Sequence, residues 1–109
     1  MTIAEIAKSL SLTPLSKADP TREASGVYIG DLLSWVMGRA SGGDVWITIM
    51  SNINIVAVAS LADVACIVLA EGVTLDENVR QTAEQKGINV YTSEKTAYQL
   101  ASALAALIK

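Results

Sequence analysis

The sequence predicts a small parallel α/β domain, and three observations predict it. Val45-Trp46-Ile47-Thr48-Ile49-Met50 and Val64-Ala65-Cys66-Ile67-Val68-Leu69-Ala70 are near-continuous apolar runs, as strands covered on both faces must be. Ile88-Asn89-Val90-Tyr91-Thr92 is a third, shorter candidate strand. The segments between these runs are too long for hairpins and long enough for crossover helices. The expected core is therefore three parallel strands at 45–50, 64–70 and 88–92 with crossover helices, in two or three layers, within one domain spanning 1–109.

The remaining elements follow in chain order. Thr2-Ile3-Ala4-Glu5 has the form of a capping box, and Ile3, Ile6, Ala7 and Leu10 recur at helical spacing behind it. That helix should end near Leu10. Ser11 to Leu15 reads as a short edge strand, because Pro14 cannot donate to a central ladder. The polar stretch Ser16 to Ser25, with Pro20, reads as a surface loop. Val27 to Ile29 is a short strand. Asp31 is placed to open a helix with its carboxylate at the positive dipole end, and Ile29, Leu32, Leu33, Val36, Met37 and Ala40 form its apolar face.

Ser51 to Ala62 favours strand by local propensity, since it holds Ile53, Ile55, Val56 and Val58. Topology favours helix: two parallel neighbours need a return path, and a dozen helical residues span about 18 Å. Helix is the reading adopted, with Asn52 as its N-cap. Thr74-Leu75-Asp76-Glu77 resembles a second capping box, opening a helix that Gly87 closes. Ser93 is placed to cap the last helix. There Ala97, Leu100, Ala101, Leu104, Ala105 and Ile108 make a stripe wider than one sheet face requires, with Tyr98 and Leu107 flanking it.

Composition excludes several functions. Of 109 residues, 51% are hydrophobic and 17% charged, which is apolar for so small a domain and points to a second surface buried against a partner. The formal net charge is −3 and the basic residues are scattered singly, so nucleic-acid binding is not expected. The chain has no His and one Cys, which leaves no imidazole base, no Cys-His pair and no zinc site of the usual type. No metal or cofactor is expected. Cys66 lies mid-strand among apolar residues and reads as an inert thiol. Ile53 to Ala70 is broken by Asn54, Ser60 and Asp63, so no membrane span is expected, and no signal peptide opens the chain; a cytoplasmic location is the expectation.

In a parallel sheet the loops after the strands converge on one edge, where ligands bind. The candidate residues there are Gly30, Asp31, Asn52, Asn54, Glu71, Gly72 and Thr92. This set of amides, hydroxyls and carboxylates suits hydrogen bonding to a small polar molecule and is poor for proton transfer at neutral pH. Each has a structural reading as well. Asn52 serves as an N-cap, Asp31 as a helix-terminus charge, and Glu71-Gly72 as a turn. Asn54 stands out, because it sits among Ile53, Ile55 and Val56 and its amide needs a partner. No P-loop or dinucleotide fingerprint is present. Trp35 falls off its helix's main stripe. It is an interface candidate, with Tyr98, Leu104 and Leu107.

Val27 to Met37, Asp44 to Ile49, Asn54 to Ser60 and Ile67 to Gly72 together resemble the DRTGG domain, a match over nearly the whole chain. The resemblance implies a stand-alone DRTGG-domain protein with a compact α/β fold similar to the N-terminal domain of HPr kinase/phosphorylase. It implies regulation or assembly without catalysis. By the same resemblance, similar domains sit between CBS domains in some regulated pyrophosphatases, where they contribute to dimer formation. The chain departs from the family pattern in two places: Ser51-Asn52 stands where many members have Asp-Arg, and Ala70-Glu71-Gly72 stands for Thr-Gly-Gly. The leading expectation is a non-enzymatic regulatory domain that forms a homodimer and engages a protein partner. The alternative is a sensor for a small ligand such as a nucleotide, bound at the strand ends.

Overall fold

The computed structural model describes residues 1–108. Its elements are α1 (Ile3–Leu10), β1 (Thr13–Ser16), β2 (Gly26–Ile29), α2 (Leu33–Arg39), β3 (Asp44–Thr48), α3 (Asn54–Ala62), β4 (Cys66–Leu69), α4 (Glu77–Gln85), β5 (Val90–Thr92) and α5 (Ala97–Leu107). The strands form one five-stranded sheet in the order β1-β5-β4-β3-β2. β2 to β5 are parallel, and β1 runs antiparallel along β5.

From β2 to β5 each strand is laid beside the last, always in the same direction. Right-handed crossovers then place every connecting helix on one face. Accordingly Val36 of α2, Ile55 and Ala59 of α3, and Val79 and Ala83 of α4 pack on Trp46, Ile67, Leu69 and Val90. The alternate sheet residues Val45, Ile47, Cys66, Val68 and Tyr91 face α1 and α5, through Ile3, Ile6, Leu10, Leu100 and Leu104. The arrangement is thus three layers, and the central strands are buried at every position because both faces are covered.

Several expected elements hold. The Thr2–Glu5 capping box is formed, with the Glu5 carboxylate on the Thr2 N–H at 2.8 Å. Those bonds hold the Glu5 carboxyl below its ordinary range, the backbone one most strongly. Topology prevails over strand propensity at Asn54–Ala62, which is helix. Its N-cap, however, is Ile53 and not the expected Asn52, and no side chain caps it; Asn52 stands one residue earlier, where its oxygen accepts the Asn54 N–H at 2.9 Å in a local turn. Gly87, at φ +75°, closes α4. Its N–H reaches Glu84 O and the Ile88 N–H reaches Ala83 O, the paired bonds of a Schellman motif.

Other expectations are corrected. β3 stops at Thr48 instead of Met50, because the Ile49 N–H turns to the Asp31 carboxylate at 3.0 Å. β4 begins at Cys66 instead of Val64, whose N–H still closes α3 on Ala59 O. β5 begins at Val90, since the Asn89 side chain is drawn into a loop contact described below. Ser16 belongs to β1, buried, and donates its hydroxyl to Ile88 O at 2.7 Å. The second capping box does not form: α4 is capped at Asp76, and Glu77 instead chelates Arg80, whose guanidinium holds the Glu77 carboxyl below the usual range. Thr96, not Ser93, caps α5, in a box with Gln99. The apolar face assigned to α2 is largely exposed. Only Val36 is buried, while Ile29, Leu32, Met37 and Trp35 face outward, because a seven-residue helix beside an edge strand has few neighbours to cover it.

Candidate functional site

The C-terminal rim of the parallel strands divides into two groups of the residues singled out by sequence. At β2 and β3, Asp31 does not open α2, which begins beyond it with Leu32 as N-cap. Its Oδ1 accepts the Thr48 hydroxyl at 2.7 Å and the Ile49 N–H at 3.0 Å, and so ties the two strand ends together. Gly30 accepts the Trp46 indole N–H on its carbonyl at 2.9 Å. Asn52 and Asn54 are exposed at the head of α3. The Asn54 amide therefore meets solvent at the rim and needs no buried partner.

At β4 and β5 the chain reverses sides: α4 follows β4 onto one face and α5 follows β5 onto the other. A crevice opens in many α/β sheets at such a point. Here the two loops bond to one another. The Glu71 N–H reaches Lys95 O at 2.9 Å and the Gly72 N–H reaches Ser93 O at 2.8 Å. Glu71 and Gly72 are both left-handed, at φ +58° and +74°. A Cβ on Gly72 would stand 2.7 Å from the Glu94 carboxylate. Thr92 donates its hydroxyl to Val73 O at 2.5 Å, which draws the same loop down onto β5. The Ala70 N–H to Thr48 O bond, at 3.0 Å, joins the two groups. Much of the rim's hydrogen-bonding capacity is thus spent inside the chain.

Concave surfaces lie elsewhere. One is a groove of about 540 Å³ between β2 and α5, lined by Val27, Ile29, Ala101, Leu104, Ala105 and Ile108. Its walls are apolar and none of those side chains is charged. The wide stripe on α5 was its sequence signal; the open flank of β2 had none. A smaller polar hollow of about 170 Å³ at the N-terminal strand ends is lined by Asp19, Arg22, Asp63, Lys86 and Asn89. There Arg22 pairs with Asp63 at 3.0 Å. A third, of about 240 Å³, lies between α1 and β1 with Lys8, Lys17 and Tyr91 at its walls. Burial, and then the neighbouring Cys66, pushes the Tyr91 hydroxyl upward.

The interface candidates separate clearly. Tyr98 is 81% exposed and Trp35 52%, with the Arg39 guanidinium 3.7 Å above the Trp35 ring. Leu107 is half-buried. Leu104 is fully buried in the chain's own core, so it is corrected from an interface residue to a core residue. Cys66 is buried and its thiol is pushed up to about 12 by desolvation. Among the described residues no helix is long and apolar enough to cross a membrane, and no cluster of three metal-ligating side chains occurs.

Comparison with known proteins gives a family and a solved structure of similar fold. The family model described as DRTGG domain matches residues 5–107. Among solved structures, the chain is similar to the CBS and DRTGG domains of the regulatory region of Clostridium perfringens pyrophosphatase, complexed with the activator diadenosine tetraphosphate. The TM-score is 0.73 at 16% identity, over 94% of this chain and 45% of that one. The chain therefore spans less than half the length of the structure it matches. No curated protein matches it.

Proposed function

Since the chain belongs to the DRTGG domain family, we propose that it is a non-catalytic regulatory domain that acts by association, first with a second copy of itself and then with a protein partner. The observation that carries this reading is the concentration of exposed large apolar side chains in one stretch of the fold. Ile29, Leu32, Trp35, Met37, Ile49 and Ile53 all lie between the end of β2 and the start of α3, and all are exposed. Surface of this kind is buried in assemblies; Ile29 belongs to the edge strand β2, open to a second copy, and the side chains from Leu32 to Ile53 are left for the protein partner. The inert, desolvated thiol and the internally bonded Asp31 and Thr92 fit a domain without a reaction to perform.

Light scattering coupled to size exclusion, across a dilution series, tests the reading. A mass of twice the chain, stable into the low micromolar range, supports it. A mass of one chain at every concentration overturns it.

The second reading is a small-ligand sensor at the strand ends, using Gly30, Asp31, Asn52, Asn54, Glu71, Gly72 and Thr92. What favours it is the pyrophosphatase regulatory region of similar fold, which was crystallised with a dinucleoside polyphosphate activator. A ligand at 100 times its Kd would add about 2.7 kcal/mol to stability. A rise in Tm with diadenosine tetraphosphate or a mononucleotide, lost in Asn54→Ala, supports this reading. No rise with any of them counts against it.

A further inference from the structure

We propose that self-association runs through the β2 edge of the sheet: two copies pair their Gly26–Ile29 strands antiparallel, about a two-fold axis at Tyr28, and make one continuous sheet. This rests on the association reading and names its surface.

The two edges of the sheet are built differently. The β1 edge carries Pro14, has a register shift between Pro14 and Ser16, and runs into Lys17. A proline, a bulge and a lysine are the devices that keep a strand edge from pairing with another chain. The β2 edge has none of them. Gly26, Val27, Tyr28 and Ile29 run in unbroken register against Asp44, Val45, Trp46 and Ile47, with no proline and no charge.

Hydrogen-bond parity then decides how the edge can pair. The Gly30 N–H bonds inward to Ile47 O at 3.2 Å. In a parallel ladder inward and outward residues alternate, so Tyr28 also faces β3, while Val27 and Ile29 turn their N–H and C=O groups out. If Tyr28 lies opposite Tyr28 of a second copy, Val27 lies opposite that copy's Ile29, and Ile29 opposite its Val27. All the outward groups are then satisfied in two reciprocal pairs, the self-complementarity that a two-fold interface requires.

The flank of the edge selects the same occupant. Val27 and Ile29 share their face with the α5 groove, so the second copy's Val27 and Ile29 would come to lie beside Ala101, Ala105 and Ile108. α5 carries no charged residue from Ala97 to Leu107. An acidic or basic peptide would set its charges against that wall without a counter-charge, whereas β2 of this chain is itself an uncharged extended segment. Strand pairing alone falls short of the ~1,200 Å² that a stable pair buries, and the apolar α5 flank is the adjoining surface that extends it.

The test is a cross-link read beside a mass measurement, on the full chain. Tyr28→Cys places thiols face to face in a non-hydrogen-bonded pair, where Cα atoms about 4.5 Å apart allow a disulfide. Cys66 is buried and stays silent. Mild oxidation with copper phenanthroline should convert Tyr28→Cys to a covalent dimer at low micromolar concentration and leave Tyr98→Cys monomeric on a denaturing gel. In parallel, Val27→Pro removes an outward N–H that the single chain does not use, and Ile29→Lys charges a side chain that is 51% exposed. Each should raise the dimer dissociation constant at least tenfold, with circular dichroism unchanged, while Trp35→Ser leaves it within twofold. No cross-link in Tyr28→Cys together with an intact dimer in both edge variants overturns the β2 assignment and leaves the association reading standing. So does dissociation by Trp35→Ser alone. A wild-type chain that is monomeric throughout overturns both.

Discussion

Asp31 and Thr48, 17 residues apart, meet at 2.7 Å, carboxylate to hydroxyl, where β2 and β3 end. The same carboxylate oxygen takes the Ile49 N–H, and the Thr48 hydroxyl oxygen takes the Met50 N–H at 3.2 Å. One side chain thus terminates β3 and fixes the loop that leads to Asn52. Asp31→Ala leaves the partly buried Thr48 hydroxyl without its charged acceptor, while the exposed Ile49 N–H turns to water, and should cost about 1–3 kcal/mol, measured by urea unfolding. A double-mutant cycle with Thr48→Val should return a coupling of about 0.5–3 kcal/mol. A carboxylate held only for a ligand would give no coupling in the free protein.

Asn89 should prove more important to stability than any residue the sequence singled out at the rim. Its amide oxygen accepts the Asp19 N–H at 2.7 Å, and its amide nitrogen donates to Asp19 O at 2.7 Å and to Ala65 O at 3.0 Å. It is buried, and it pins the 17–25 loop to the sheet. Asn89→Leu abandons all three bonds and should cost about 2–4 kcal/mol. Limited proteolysis of that variant should cut first within the 17–25 loop.

Two glycines with nearly the same φ should respond alike to alanine. Gly87, at +75°, has open space around a built Cβ, and Gly87→Ala should lose only the left-handed penalty of about 1 kcal/mol. Gly72, at +74°, brings a built Cβ to 2.7 Å from the Glu94 carboxylate, the far end of an exposed and flexible side chain that can swing aside. Gly72→Ala should therefore cost about as much as Gly87→Ala in the same urea titration, and adding Glu94→Ala should change it little.

Cys66 makes stability fall at high pH. Burial raises its thiol from an ordinary 9.0 to about 12. The folded chain then keeps a proton that the unfolded chain has already released. This contribution is complete below pH 9.0 and is lost as the pH climbs toward about 12, at about 1.4 kcal/mol per unit. Unfolding free energies between pH 8 and 10.5 should fall more steeply for the wild type than for Cys66→Ala. At pH 8 a thiol reagent should label the native chain only at the rate of unfolding.

Much of the fold was legible because its signals are local. The apolar runs at Val45 and Cys66 announce strands covered on both faces, and Thr2–Glu5 and Gly87 mark helix ends by bonds that span three to five residues. Reading failed where a local pattern had competitors. Thr74–Glu77 has the spacing of a capping box, yet Arg80 claims Glu77 with three hydrogen bonds. Ser93 and Thr96 both precede α5, and Thr96 takes the cap because Gln99 stands where it can reach back.

The sequence by itself determined the secondary elements, the parallel core and the family resemblance, because periodicity, caps and apolar runs act over a few residues. Tertiary structure alone decided the rest. It set three layers, put β2 at an unguarded edge, joined Asp31 to Thr48, and joined Asn89 to Asp19 across 70 residues of chain. Such contacts depend on which strand lies beside which. That order comes from the handedness of successive crossovers and the burial of both sheet faces, and no short window of sequence contains it.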